Sequence, residues 1–167
     1  WITNGEYLEK FTNSVKNYTK AKYAIPCING TSALHISLKV LGIKKKDEGI
    51  VPTTTFIAPI NAIHYNGAKP IFMDVYDDFT LDADKTLEFL STQTYFKKKY
   101  TYNKKSNSKI KAIIFVHTFG NAANIEKLYN YCKKRNIFII EDAAESLGTK
   151  YIKGKFKGKH TGTIGNI

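Results

Sequence analysis

The chain has 167 residues, 43% of them hydrophobic, enough for one core and too short for an array of domains. Its formal net charge is +12, yet Arg135 is the single arginine and the lysines fall in surface runs such as Lys44-Lys45-Lys46 and Lys97-Lys98-Lys99; without bidentate forks or a helix-turn-helix, zinc or RNP pattern, this argues against a nucleic-acid partner. No apolar run approaches membrane-spanning length, no signal peptide is visible, and Cys27 and Cys132 are too few for a disulfide framework, which fits a reducing cytoplasm and no membrane partner.

In chain order, residues 5–18 place Tyr7, Leu8, Phe11, Val15 and Tyr18 close to helical spacing. Residues 23–28 are an apolar run that reads as a strand, with Cys27 as a small core residue. A helix over 31–41 follows, carrying Leu34, Ile36, Leu38 and Leu41 and closed by Gly42. A short strand at 49–51 precedes a helix at 59–65 that ends on Asn66-Gly67. A strand at 70–75 leads to a helix at 84–90, for which Asp82 or Asp84 is the cap. Residues 96–108 read as a polar insertion rich in lysine and tyrosine. A near-continuous apolar strand at 112–116, a helix at 125–134, a strand at 137–140 and a basic hairpin at 149–158 complete the reading. Alternating strands and helices predict an α/β fold, a mostly parallel sheet with helices on both faces.

Three stretches carry candidate chemistry. The strand at 137–140 delivers Glu141 and Asp142 to its carboxyl end, ahead of Ala143-Ala144-Glu145-Ser146-Leu147-Gly148. Ligands of open α/β sheets bind outside the carboxyl ends of strands, and an aspartate there can hold a protonated ring nitrogen. A strand-end acid that caps a turn is the competing reading. Asn29-Gly30-Thr31-Ser32 combines a glycine, two hydroxyls and a helix start, a combination that suits phosphate, against an ordinary cap by Thr31 or Ser32. It is neither a P-loop nor a dinucleotide fingerprint. In Val51-Pro52-Thr53-Thr54-Thr55-Phe56-Ile57-Ala58-Pro59, Phe56 is either a stacking ring or a core residue. His117, at the end of its strand, either lines the site or is a satisfied structural histidine. No Cys/His/Asp cluster has metal-ligand spacing, so no metal is expected.

Taken in order, Asn29 to Leu34, Val51 to Ala58, Ala68 to Val75, Val116 to Asn121 and Glu141 to Gly148 resemble the DegT/DnrJ/EryC1/StrS family of pyridoxal-phosphate-dependent nucleotide-sugar aminotransferases. The stretches 53–58, 100–105 and 158–165 are most similar to the branch that aminates UDP- or GDP-linked 4-keto-6-deoxy-N-acetylhexosamines in legionaminic-acid and bacillosamine pathways. The resemblance implies the large domain of a fold-type-I enzyme over residues 1–167, cut short, with the C-terminal small domain absent. It implies pyridoxal 5'-phosphate as cofactor, held by Gly30, Thr31 and Ser32 at the phosphate, Phe56 on the ring face, Asp142 at the ring nitrogen and Glu145 near the phenolic oxygen. At the Glu145 position relatives often carry glutamine or histidine, so its donor inventory differs.

The resemblance further implies an amino-acid donor such as glutamate, a nucleotide-sugar substrate that a positive potential helps attract, and a homodimer for the intact protein. The family's Schiff-base lysine falls beyond Ile167, so no catalytic residue is nominated within these residues and the chain alone is expected to be inactive. Two alternatives stay open: a sugar dehydratase of the same family, with histidine in place of that lysine, and a non-catalytic remnant or binding module.

Overall fold

The computed structural model describes residues 5–167. Among the described residues five α-helices and six strands follow in the order α1 (Glu6–Thr19), α2 (Gly30–Val40), β1 (Asp47–Pro52), α3 (Ile57–Tyr65), β2 (Lys69–Met73), α4 (Ala83–Thr92), β3 (Thr94–Lys97), β4 (Tyr100–Asn103), β5 (Lys109–Val116), α5 (Ile125–Arg135) and β6 (Phe138–Asp142). Asp82 caps α4, its carboxylate accepting from the amides of Asp84 and Lys85 at 2.9 Å each. Gly42 closes α2 at φ 78°, and Asn136 closes α5 in the left-handed conformation.

β5 is the centre of a six-stranded sheet. One edge pairs with β1 in parallel, and β1 in turn pairs with β2 in parallel. Its other edge is shared by two strands. Lys109 and Ile110 pair antiparallel with β4, while Ala112 to Val116 pair in parallel with β6. The sheet is therefore parallel where the strands carry the site and antiparallel at one end.

Alternation of side chains across the strands builds a core on each face. Ile50, Ile113, Phe115 and Ile139 pack with Leu90, Leu128 and Cys132 on the side of α4 and α5. Val51, Ala112, Ile114, Val116 and Ile140 pack with Leu34, Leu38, Ala62 and Ile63 on the side of α2 and α3.

Two expectations need correction, and one stretch without an assigned element gains one. Residues 23–28 form no strand, and Tyr23, Ile25, Cys27 and Ile28 are exposed. An apolar run becomes a strand only if a neighbour supplies backbone partners, and among the described residues none pairs with it; Pro26 also lacks an amide. Cys27 is thus not a core residue. The insertion, for which the sequence assigned no element, carries β4 and part of β3, an antiparallel hairpin in which the rings of Tyr95 and Tyr102 stack at 5.3 Å. Its turn residues, Lys98 and Lys99, both have positive φ, a conformation that asparagine and glycine normally signal. The basic hairpin at 149–158 reduces to one bridge between Lys150 and His160 inside a run of turns.

Candidate functional site

Parallel pairing brings the last residues of β1, β5 and β6 (Pro52, Val116 and Asp142) to one edge of the sheet. α2 descends into the amino end of β1, so its own start, Gly30, lies back at the carboxyl edge. α3 leaves that edge, with Phe56 as its N-cap residue. Connectivity therefore puts Gly30, Thr31, Ser32, Phe56, Asp142 and Glu145 on the carboxyl side of the sheet, where open α/β sheets have their ligand crevice.

Asn29, and neither Thr31 nor Ser32, caps α2: its Oδ1 accepts from the Ser32 amide at 2.8 Å. Among the described residues the Thr31 and Ser32 hydroxyls make no hydrogen bond, and the first turn holds no acidic side chain. The positive end of the helix is left uncompensated, which favours an anion.

Phe56 is 77% exposed, so it is not a core residue. Nearby, the hydroxyls of Thr55 and Thr118 are buried without a partner. Orphaned buried donors are rare and call for an acceptor.

Asp142 is half-buried, and its Oδ1 accepts from the Ala144 amide at 3.2 Å. Burial pushes its carboxyl above the ordinary 3.8, opposed by the Ala144 amide. A desolvated carboxylate of this kind gains from a cationic partner. Glu145 is exposed, and its Oε2 accepts from the Phe119 amide at 2.6 Å. It thereby holds a left-handed residue, φ 54°, whose ring is 70% exposed.

His117 is a structural histidine. Its Nδ1 accepts from the Ala123 amide at 3.0 Å, and its Nε2 faces Oε2 of Glu141 at 2.9 Å with both side chains fully buried. Sequence reasoning passed over Glu141 as the neighbour of Asp142. The signal was strand alternation, which sends adjacent residues to opposite faces. Thr118 had no signal beyond its place after a strand.

These residues fit pyridoxal phosphate: free hydroxyls at a positive helix end for the phosphate, an exposed ring for stacking, and a half-buried carboxylate for the ring nitrogen. Among the described residues no group of acids, histidines or cysteines could hold a metal ion, and no helix is long and apolar enough to cross a membrane.

The model of the DegT/DnrJ/EryC1/StrS aminotransferase family matches residues 1–167. The chain belongs to this family. It is 40% identical over 168 residues to GDP-perosamine synthase of Escherichia coli O157:H7, covering all of this chain and 41% of that protein. Among solved structures, a DegT DnrJ EryC1 StrS aminotransferase from Brucella abortus superposes with a TM-score of 0.77 at 30% identity, over 86% of this chain and 36% of that one. NtdA from Bacillus subtilis with bound cofactor PMP gives 0.75 at 28%, over 93% and 32%. The fold is that of these fold-type-I enzymes, and the chain spans about two fifths of the length of the curated relatives it matches.

Proposed function

We propose that this chain is the cofactor-binding part of a pyridoxal-phosphate-dependent enzyme that moves an amino group from an amino acid, glutamate by preference, to the keto carbon of a nucleotide-linked sugar. The keto oxygen is replaced by the amino group, and the donor leaves as its 2-oxo acid. The carrying observation is the half-buried Asp142 at the end of β6, on the edge shared with the uncompensated start of α2. The cofactor of the family is pyridoxal phosphate, which supplies an electron sink when bound.

The residues divide the work. Gly30 lets the backbone come close to the phosphate, and Thr31 and Ser32 add hydroxyls to the helix-end dipole. Phe56 offers its ring face to the pyridine. Asp142 keeps a proton on the ring nitrogen, and that cation relieves its own desolvation. Glu145 acts as an acceptor that fixes the Phe119 backbone beside the ring. No lysine among residues 1–167 is assigned the exchange of protons at the reacting carbon.

The finer substrate reading is a UDP- or GDP-linked 4-keto-6-deoxy-N-acetylhexosamine of a surface-sugar pathway. A second reading, a GDP-linked sugar, is favoured by the 40% identity to a GDP-perosamine synthase. The intact enzyme is proposed to be a cytoplasmic homodimer. The support is α1, an amphipathic helix without a buried residue whose Tyr7, Leu8, Phe11 and Tyr18 are exposed.

The test is to express the whole open reading frame and incubate it with glutamate, pyridoxal phosphate and each keto sugar nucleotide. Mass spectrometry reads the exchange of oxygen for an amino group. Loss of water from the sugar instead identifies the dehydratase, and no conversion of any keto sugar identifies the non-catalytic module.

A further inference from the structure

Glu141 occupies the residue before Asp142 and points away from the crevice into the sheet's other face. Its side chain is fully buried and all its acceptor capacity is used. Oε1 accepts from the amides of Ile164 and Gly165 at 2.5 Å each. Oε2 accepts from the Gly162 amide at 2.9 Å and from Nε2 of His117 at 2.9 Å. Since Nδ1 of His117 accepts from the Ala123 amide, the imidazole proton belongs on Nε2 and points at Glu141.

One carboxylate therefore ties three backbones together: β6, the turn at 160–165 and the loop from His117 to Ala123. That loop is the one that frames the crevice. The His117 amide donates to the Asp142 carbonyl at 3.0 Å, and two residues on, the Phe119 amide holds Glu145. Both acids of the proposed site hang from backbone that Glu141 fixes.

Resting on the cofactor reading above, we propose that Glu141 is a positioning residue of this site: through His117 and the amides of Gly162, Ile164 and Gly165 it sets the placement of Asp142 and Glu145, and so controls the affinity and electronic state of the bound cofactor. Every group facing Glu141 is a donor. Glutamine in its place has one acceptor oxygen, so either amide orientation sets its NH₂ against two N–H groups. Buried donors left without an acceptor are costly, so the backbones that Glu141 ties together are expected to shift in the variant.

The experiment titrates the chain, Glu141→Gln and Asp142→Asn with pyridoxal phosphate, following the cofactor's absorption under conditions where circular dichroism shows each variant folded. Glu141→Gln is expected to bind at least about tenfold more weakly, as loss of an outer support does elsewhere, and its bound band is expected to match that of Asp142→Asn rather than the parent. A merely structural staple leaves the folded fraction with the parent's band. Binding within about twofold of the parent, with the parent's band, overturns the proposal while the function stands. Absence of binding by the parent overturns both. Where Glu141→Gln does not fold, amide exchange of the parent decides: cofactor addition is expected to slow Ala123, Gly162, Ile164 and Gly165 together, and unchanged exchange at these four overturns the proposal.

Discussion

Asn29 and Ser32 are joined across the first turn of α2, the Asn29 side-chain oxygen accepting from the Ser32 amide at 2.8 Å. The bond satisfies one of the helix's free amides and leaves those of Gly30 and Thr31 and both hydroxyls for an anion. Asn29→Ala is expected to cost about 1 kcal/mol, the usual loss of a cap. In a domain of this size that lowers the melting temperature by roughly 2–4 °C. Asn29→Asp separates capping from anion binding. It keeps the acceptor, so thermal denaturation should stay near the parent's, but its negative charge at the helix start should weaken pyridoxal phosphate binding. Equal cofactor affinity in the parent and Asn29→Asp would place the phosphate elsewhere.

Asp142 gives a pH-dependent prediction. Its folded pKa lies above the ordinary 3.8 because burial disfavours the charge. The native state therefore binds the proton more tightly than the unfolded state, and stability falls as pH rises through the folded value. The penalty is absent below 3.8 and fully present above the raised pKa. Asp142→Asn, which keeps an acceptor for the Ala144 amide, should melt at or above the parent's temperature at neutral pH, with the difference closing in acid. A variant that melts well below the parent at neutral pH shows instead that the charge stabilises the fold.

Gly165 tests the contact between the 160–165 turn and β6. A Cβ there would lie 2.7 Å from the Ile139 carbonyl oxygen, which is backbone and cannot yield. Gly165→Ala is expected to destabilise by about 1–3 kcal/mol, as forced overpacking does. Gly5→Ala serves as the control, since nothing lies within 4 Å and its φ is −176°. Chemical denaturation of the two variants should separate them clearly. Equal midpoints would mean that the turn does not sit on β6.

The sheet was legible wherever hydrophobic period and partner coincided. β5 and β6 show as apolar runs because both their faces are covered. Residues 23–28 carry the same signal and no strand, since composition records the wish for burial and not the presence of a neighbour. The β3–β4 hairpin was hidden because its turn is built on Lys98 and Lys99 at positive φ, where asparagine or glycine is the usual signal. Of the candidate site residues, Asp142 and Phe56 were proposed from the strands before them, Glu145 from the family resemblance, and the Gly30 turn from a strand over 23–28 that does not form. Asn29 as the cap and Glu141 as the buried hub were not found, because both depend on which way a side chain points. The partners of Glu141 lie 21 to 24 residues away along the chain, a separation that leaves no local signal.

Asp142 is proposed to hold the ring nitrogen of pyridoxal phosphate at the carboxyl edge of the sheet. The most direct measurement is a spectral titration of the 167-residue chain and its Asp142→Asn variant with pyridoxal phosphate at neutral pH. Saturable binding by the chain, reversed by dialysis, is expected, with at least about tenfold weaker binding and a shifted band for Asp142→Asn, since a neutral amide cannot keep the ring proton in this role. Saturable binding with the same affinity and the same band in both proteins would contradict it.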